Sequence, residues 1–502
     1  MKDKLLLWIE GPLHFCLAYY LQKMYDCEIY AIIDITSKPK KFFVDQNLVK
    51  FNKIWFYHDH VKKPHTPDLE YLSSFERKYN INIWKLAINE RIFYRFYDFH
   101  KFSSDEILSI EEDVCKFFEE VLDEVQPNYL LTYLPNLHHQ ELLFELSNAN
   151  GVKSLLLSNP ILGYKSRIAG YREMHDSIKK FNEAKSSGRD FKTMKDYLHS
   201  FDISKQLKAS FEKNSTSKLM KAAFEFLFAS DNKHQETHYT YFGRTKLSVL
   251  KYMLNLSIKK KQREKFMQKN LLHDIDFEKP FVYYPLGVDP EANILITAPF
   301  FTNQTEIIRS VAKALPVEYK LYVKENPAQI NREWRKTSEY REIMNIPNVR
   351  LLHPSVSNKK LLEHSSLVVT IAGTSGFEAA FYEKPSIVFA DTIYTILPSV
   401  HRIKEIERLP ELIRSCLLER VNASDLDKFL TILEEDTFDF DLRGFTTKIE
   451  ECFFHEGNLL DTTISESQMK KFLDKNKTLL EKLSLEHIKK MNKLKVIKSN
   501  EK

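Results

Sequence analysis

Two kinds of apolar patterning alternate along this chain. Short runs that are apolar at successive positions occur at 4–9, "CEIYAIID" (27–34), "KIWFY" (53–57), "NYLLTY" (128–133) and "VKSLLLS" (152–158). Such runs predict strands of a parallel sheet, because a strand covered on both faces has no solvent side to keep polar. Between them, apolar residues recur every three or four positions, which predicts helices over 12–24, near 105–124 and near 138–149. The alternation returns after residue 281. Strands are predicted at "NILITAPF" (293–300), "YKLYVKE" (319–325), "NVRLL" (348–352), "SLVVTI" (366–371) and "SIVFA" (386–390), with helices at 303–315, near 332–344 and at "NKKLLEHS". Asn303 and Glu306 stand at capping-box spacing.

The resulting fold class is α/β, with two Rossmann-like, doubly wound domains, a helical insertion and C-terminal helices. Residues 1–170 form the first domain and 281–410 the second; 171–280 is charged, mostly helical sequence read as insertion and linker, with little catalytic content, and 411–502 is a set of helices ending in a basic tail. Ligands of a doubly wound sheet sit beyond the carboxyl ends of its strands.

Composition narrows the setting. A hydrophobic fraction of 43% in 502 residues is enough to build large cores and excludes a disordered chain. Cys16, Cys27, Cys115, Cys416 and Cys452 are widely spaced, with no pair at metal or redox spacing, so a reducing cytoplasm is the expected compartment. The start "MKDKLLLWIEGPLHF" is broken by Glu10-Gly11-Pro12 and suits a first strand better than a signal peptide. Formal charge is only +5, but lysines cluster at "IKKKQREK" (258–265) and in the tail 487–502. Solvated helix faces account for such clusters, and peripheral contact with an anionic membrane at the inner face of the cell is the sharper reading. Nucleic acid is not expected, since neither cluster is interleaved with aromatics.

Candidate chemistry concentrates in the second domain. Eleven glycines in the whole chain make "TIAGTSGFEAA" conspicuous, with Gly373 and Gly376 between a strand and a helix. Free amides at that helix start, with the Thr374 and Ser375 hydroxyls, suit a phosphate; a plain strand-to-helix turn also needs glycine. Glu378 would accept from a ribose or simply favour the helix dipole. In "YVKENPA", Lys324 supplies a cation for phosphate, beside Glu325, and Asn326 a neutral donor, at the same sheet edge. "FVYYPLGVDPEAN" (281–293) places Gly287, Asp289 and Glu291 where an interdomain cleft would lie.

"YYPLGVDPEAN", "KLYVKENPA", "NVRLLHPSVSNKKLLEHSSLVVTIAGTSGFEAAFYEKPSIVFAD" and "ILPSVHRI" together resemble the capsule-polysaccharide and surface-carbohydrate biosynthesis family, which includes bacterial β-Kdo transferases. The resemblance is dense over about 281–410 and weak before it, where "IWKLAINERIFYRF" is the best partial match. It implies a GT-B architecture, with donor nucleotide on the C-terminal domain and acceptor on the N-terminal one. It further implies inverting transfer, with a CMP- or UDP-linked sugar as donor substrate, a glycan or glycolipid as acceptor, and no cofactor or essential metal. Two positions depart from the family: Asp289-Pro290 stands for Q-P, and Asn326 stands for the histidine of K-E-H-P. Asparagine can donate a hydrogen bond but carries neither charge nor proton, which bears on turnover. His353-Pro354 is read first as a loop. Inversion needs a base, and Glu10, just past the first strand, is the leading candidate, with Asp98, His138 and His139 as rivals. A UDP-sugar 2-epimerase-like enzyme and a glycan-assembly scaffold without turnover remain alternatives.

Overall fold

The computed structural model describes residues 2–159, 161–170, 174–201, 216–229, 238–331 and 335–500. Its strands form one seven-stranded and one six-stranded sheet. In the first, β1 (Asp3–Ile9), β2 (Cys27–Ile33), β3 (Lys53–Phe56), β4 (Tyr129–Tyr133) and β5 (Lys153–Ser158) are parallel, and β6 (Ser166–Ala169) is antiparallel to β5. Leu5 to Ile9 of β1 are all buried, because helices cover both faces. The helix Pro12–Met24 lies on one side with Phe15, Leu17 and Leu21, and Ser104–Val125 on the other with Ile110, Phe118 and Val121. The second of these helices starts at a full capping box, with the Ser103 hydroxyl accepting from the Glu106 amide and the Glu106 carboxylate accepting from the Ser103 amide. Truncating a side chain such as Leu6 to alanine in this core costs about 2–5 kcal/mol.

The second sheet is entirely parallel. It contains β7 (Phe281–Pro285), β8 (Lys320–Lys324), β9 (Val349–Leu352), β10 (Leu367–Thr370), β11 (Ser386–Val388) and β12 (Val400–Arg402), in the order β12-β11-β10-β7-β8-β9. The strand expected at 293–300 is therefore not one. The aromatic run at 281 takes its place between β8 and β10, while 292–295 is a helical turn that buries Ile294, Leu295 and Ala298, a spacing that suits a helix and not a strand. The helix expected near 332–344 spans Thr337–Met344, and 332–334 lie outside the described residues.

Beyond β12 the chain does not form a separate tail. The helix Ala423–Glu435 packs Leu426, Phe429 and Leu430 into the second domain's core. The chain then crosses back: β13 (Thr437–Phe438) pairs antiparallel with β6, completing the order β13-β6-β5-β4-β1-β2-β3. The helices Leu442–Phe453, Glu466–Lys475 and Lys477–Asn500 then bury Phe445, Phe472, Leu480, Leu483 and Met491 against the first domain's core. Lys495, in the lysine-rich end, is held by Asp3 at 2.6 Å. Part of the insertion also belongs to the cores. Tyr239 enters the first, while Met267 and Leu271, at the end of the helix Lys246–Asn270, enter the second domain's core beside β7 and β8.

In each sheet the chain changes direction beside its first strand, between β1 and β4 and between β7 and β10, and a crevice opens at such a switch point. The two halves meet near these edges. Asn89 donates to the Pro299 carbonyl at 3.0 Å and Arg95 to that of Thr302 at 3.4 Å, joining the first domain to the loop that follows β7.

Candidate active site

At the carboxyl edge of the second sheet, buried charges are sorted into those with partners and one without. Arg335, 1% exposed at its side chain, meets Glu325 at 2.8 Å and Asp289 at 3.2 Å and donates to the Gly287 carbonyl at 3.0 Å. Glu325 also accepts from the Tyr340 hydroxyl at 2.6 Å and from the Asn326 amide at 2.7 Å, and Gln304 donates to Asp289. Both carboxylates are thus consumed in clamping the loops after β7 and β8. Their expected role as nucleotide contacts is corrected accordingly: buried and fully partnered, Asp289 and Glu325 position the site and do not face its ligand. Asn326 is half-buried and caps its own turn, its side-chain oxygen accepting from the Ala328 amide at 2.9 Å, which leaves its NH2 group to donate outward.

Lys324, the last residue of β8, is 6% exposed and has no hydrogen-bond partner among the described residues. Burial pulls its ammonium down to about 8, and the charge of Glu378 pulls it back up. Glu378 is itself raised above the usual carboxylate range by burial, opposed by its bond from Thr374 and by Lys324. Its two oxygens accept from the Thr374 hydroxyl at 3.0 Å and from the Asn358 amide group at 3.1 Å, so a ribose would have to share them.

The glycine turn lies at the switch point between β7 and β10. Thr374 is exposed and Ser375 half-buried, and neither of their N–H groups has a protein acceptor among the described residues. Packing beneath the turn accounts for both glycines. A Cβ on Gly376 would lie 3.1 Å from the Tyr394 hydroxyl and 3.2 Å from Thr370, and one on Gly373 would lie 2.8 Å from the Thr370 hydroxyl. Tyr394 donates to the Gly373 carbonyl and Ser386 to that of Gly376 at 2.8 Å. Close packing beneath the turn thus excludes side chains at both positions. The helix that follows, Ser375–Phe381, has under two turns, so its dipole adds little.

At the facing edge of the first sheet the polar groups form a connected cluster. Glu10 follows β1 at the switch point and accepts from Gln140. Although exposed on one side, it is otherwise walled in by protein; this desolvation, with the nearby charge of Asp34, raises it to about 7. Asp34, directly after β2, meets His58 at 3.0 Å and His139 at 3.4 Å. Burial would raise Asp34, but its bonds from the two histidines outweigh that and hold it well below the usual carboxylate range.

The chain of contacts continues inward. Tyr239 lies 3.2 Å from His139 Nδ1, 3.0 Å from His138 Nε2 and 2.9 Å from the Tyr57 hydroxyl, and His138 Nδ1 is 2.7 Å from Glu111. Burial lowers His139, outweighing the Asp34 carboxylate 3.4 Å from its Nε2, and its Nδ1 faces the Tyr239 hydroxyl. Burial opposes the charge on His138 too, but the Glu111 carboxylate 2.7 Å from its Nδ1 outweighs it and raises His138 above the usual imidazole range.

Of the residues expected to supply a base, Glu10, His138 and His139 thus come together, whereas Asp98 is exposed on a separate loop. His353 lies in a loop stacked on His273 at 4.2 Å, as read from sequence. Asp34 and His58 were findable, since each stands within two residues of a strand's carboxyl end. Tyr239 was not, because it arrives from the insertion. Among the described residues, His401, Cys416 and Glu419 bring possible ligand atoms within 4.8 Å of one another, on the edge strand β12 and the helix after it.

Residues 184–398 match the family described as capsule polysaccharide biosynthesis protein, so the resemblance is borne out over that span, including part of the insertion. No curated protein matches the chain. Among solved structures, the β-Kdo 2,7-transferase KpsC of Thermosulfurimonas dismutans is 14% identical, aligning 64% of this chain with 89% of that one at a TM-score of 0.30. The UDP-GlcNAc 2-epimerase of Methanocaldococcus jannaschii is 12% identical, over 87% of this chain and 100% of that one, at 0.25. The Neisseria meningitidis UDP-GlcNAc 2-epimerase, bound to UDP-GlcNAc, is 12% identical over 86% and 99%, at 0.25. These likenesses assign no activity; the two-sheet architecture rests on the strands themselves.

Proposed function

We propose that this chain, whose residues 184–398 are those of the capsule polysaccharide biosynthesis family, is a glycosyltransferase that moves a sugar from a CMP- or UDP-linked donor to a surface polysaccharide or glycolipid. The observation that carries this reading is Lys324: a buried ammonium without a hydrogen-bond partner among the described residues, beside a turn with two free amides at a sheet's switch point. Burying an unpaired charge is costly, and an anionic ligand removes that cost. Lys324, the amides and hydroxyls of Thr374 and Ser375, and the Asn326 NH2 group would hold the phosphate and offset the charge that builds on it as the glycosidic bond breaks. Glu378 orients Thr374 and keeps Lys324 protonated. Glu10, raised to about 7, would take the proton of the attacking acceptor hydroxyl at neutral pH. Direct attack assisted by that base gives a product of inverted configuration.

Calorimetry with CDP and UDP tests the donor half of this reading. Lys324→Ala is expected to weaken binding by about 10- to 100-fold, the loss of one charge-assisted contact, and Ser375→Ala by less. Affinity should also fall as pH rises past about 8, where Lys324 loses its proton. Nucleotide affinity unchanged in both variants would remove the assignment. NMR of the product anomer tests the acceptor half, and retention of configuration would take the base role from Glu10.

A further inference from the structure

The helix Lys246–Asn270 is anchored at its two ends and bare between them. Tyr252 packs its ring 4.9 Å from Phe99 of the first domain, and Met267 and Arg263 are buried against the second. On its outer face Leu247 is 77% exposed, Leu254 is 70% exposed, and Leu250 and Ile258 are also exposed. These four stand at positions i, i+3, i+7 and i+11, one stripe of a helix about 16 Å long. The Lys246 ammonium donates to the Leu227 carbonyl at 2.7 Å, which brings up the segment carrying Phe224 and Phe228, 65% and 73% exposed and ring to ring at 4.9 Å. Isolated apolar residues on a surface are ordinary, but a contiguous strip of this kind marks a contact.

The strip is bordered by cations. The helix holds seven lysines against a single acid, Glu264, and Lys251, Lys259, Lys261 and Lys265 are exposed with no ion-pair partner among the described residues. Apolar residues along one face with lysines beside them fit the boundary between headgroups and acyl chains of an anionic bilayer. The second lysine cluster, near the C-terminus, is instead packed on the first domain, and no helix among the described residues is long and apolar enough to cross a membrane.

We propose that this face of Lys246–Asn270, with Phe224 and Phe228, docks the protein on an anionic lipid surface. The inference is independent of the proposed reaction. Sedimentation of the full chain with vesicles tests it. Binding is expected with phosphatidylcholine vesicles that carry phosphatidylglycerol, at least about tenfold weaker with phosphatidylcholine alone, and weaker as salt rises from about 0.1 to 0.5 M. The double variant Leu250→Ser, Leu254→Ser and the triple variant Lys259→Glu, Lys260→Glu, Lys261→Glu should each lower partitioning at least about tenfold while keeping the parent's circular dichroism. Partitioning that is equal on both vesicle types, or equal in parent and variants, would overturn the proposal. So would a parent dimer in solution that the leucine double variant abolishes, since the strip would then be covered by a second copy of the chain.

Discussion

The carboxyl edges of the two sheets treat buried charge in opposite ways. In the second sheet the acids Glu325 and Asp289 are closed onto Arg335, and what remains is a cation, Lys324, with no bonded partner among the described residues. At the edge of the first sheet a run of buried groups stands in contact, from Glu111 through His138, Tyr239 and His139 to Asp34, and the carboxylate toward solvent is Glu10. The same strand geometry therefore yields an edge suited to an anion and an edge suited to a proton acceptor. What separates them is which charges have been spent internally: a saturated charge positions a loop, and an unsaturated one is left for a ligand.

If that division holds, removing the unsaturated groups abolishes function while leaving the fold, and removing the saturated ones does the reverse. The largest effect is expected from Glu10→Gln. Loss of a general base lowers kcat by about 10²–10⁴, while CDP or UDP affinity and thermal stability stay at the parent's values. Glutamine keeps the size of the side chain and can still bond Gln140, so a loss confined to kcat isolates the proton-accepting role. A kcat within a few-fold of the parent's would assign the base elsewhere in the cluster.

Arg335→Ala should invert this signature. It strands Glu325 and Asp289 as uncompensated buried acids, and breaking one side of a buried ionic network costs about 3–5 kcal/mol. Denaturant titration should show that loss. Arg335→Lys should recover only part of it, because a lysine cannot meet both carboxylates and the Gly287 carbonyl with a planar fork. A fully stable Arg335→Ala variant whose only defect is nucleotide binding would place Arg335 in the ligand site and break the comparison.

The sequence made most of the framework legible and little of this division. The alternating runs located β1 to β5 within about a residue, because strands buried on both sides carry their signal locally. The error at 293–300 arose where a mostly apolar octet buries only Ile294, Leu295 and Ala298, through a helical turn and the turns after it, a distinction that periodicity over so short a stretch cannot make. Lys324, Thr374 and Ser375 were identifiable because they sit next to punctuated strand ends. That Asp289 and Glu325 are consumed was not, because Asp289 lies well before their shared partner Arg335, which follows Glu325 only after an irregular stretch, and nothing local announces a three-way closure. Tyr239 was hidden for the same reason, about 100 residues from the histidines it joins.

A smaller effect sharpens the comparison within the first domain. His138 is raised by a carboxylate, whereas His14 and His487 are buried without one, and burial lowers them to about 3 and about 4, with the charge of His487 adding to the effect on His14. The folded state then resists protons that the unfolded chain takes up below about 6.5, so stability is complete above that pH and falls as pH drops toward about 3. His14 alone should cost about 2 kcal/mol at pH 5, and His487 acts in the same direction. Denaturant titrations at pH 7 and pH 5 should therefore show a steeper loss in the parent than in His14→Phe. Parallel losses would mean that both states bind the proton equally and that the His14 site is open to water.

The smallest and most specific change is expected from Asp34→Asn. Asparagine offers one acceptor oxygen where the carboxylate offers two, so only one of His58 and His139 keeps its acceptor, and no negative charge is left beside Glu10. Burial remains as the main cause of the raised Glu10 value, so only the part due to Asp34 is lost and the value moves down by less than the whole shift. The base must be deprotonated to work, and the acid limb of kcat/KM, set near pH 7 in the parent, should move to lower pH. Relative to its own plateau, the variant then retains more activity than the parent at pH 6, even if the plateau is lower. Of the described residues that act on Glu10, namely Asp34, Gln140, Trp8 and Tyr133, only Asp34 carries a charge at these pH values. A limb that stays in place while activity drops would show that Asp34 orients the histidines without setting the proton affinity of Glu10, and would reduce the cluster from an electrostatic device to a scaffold.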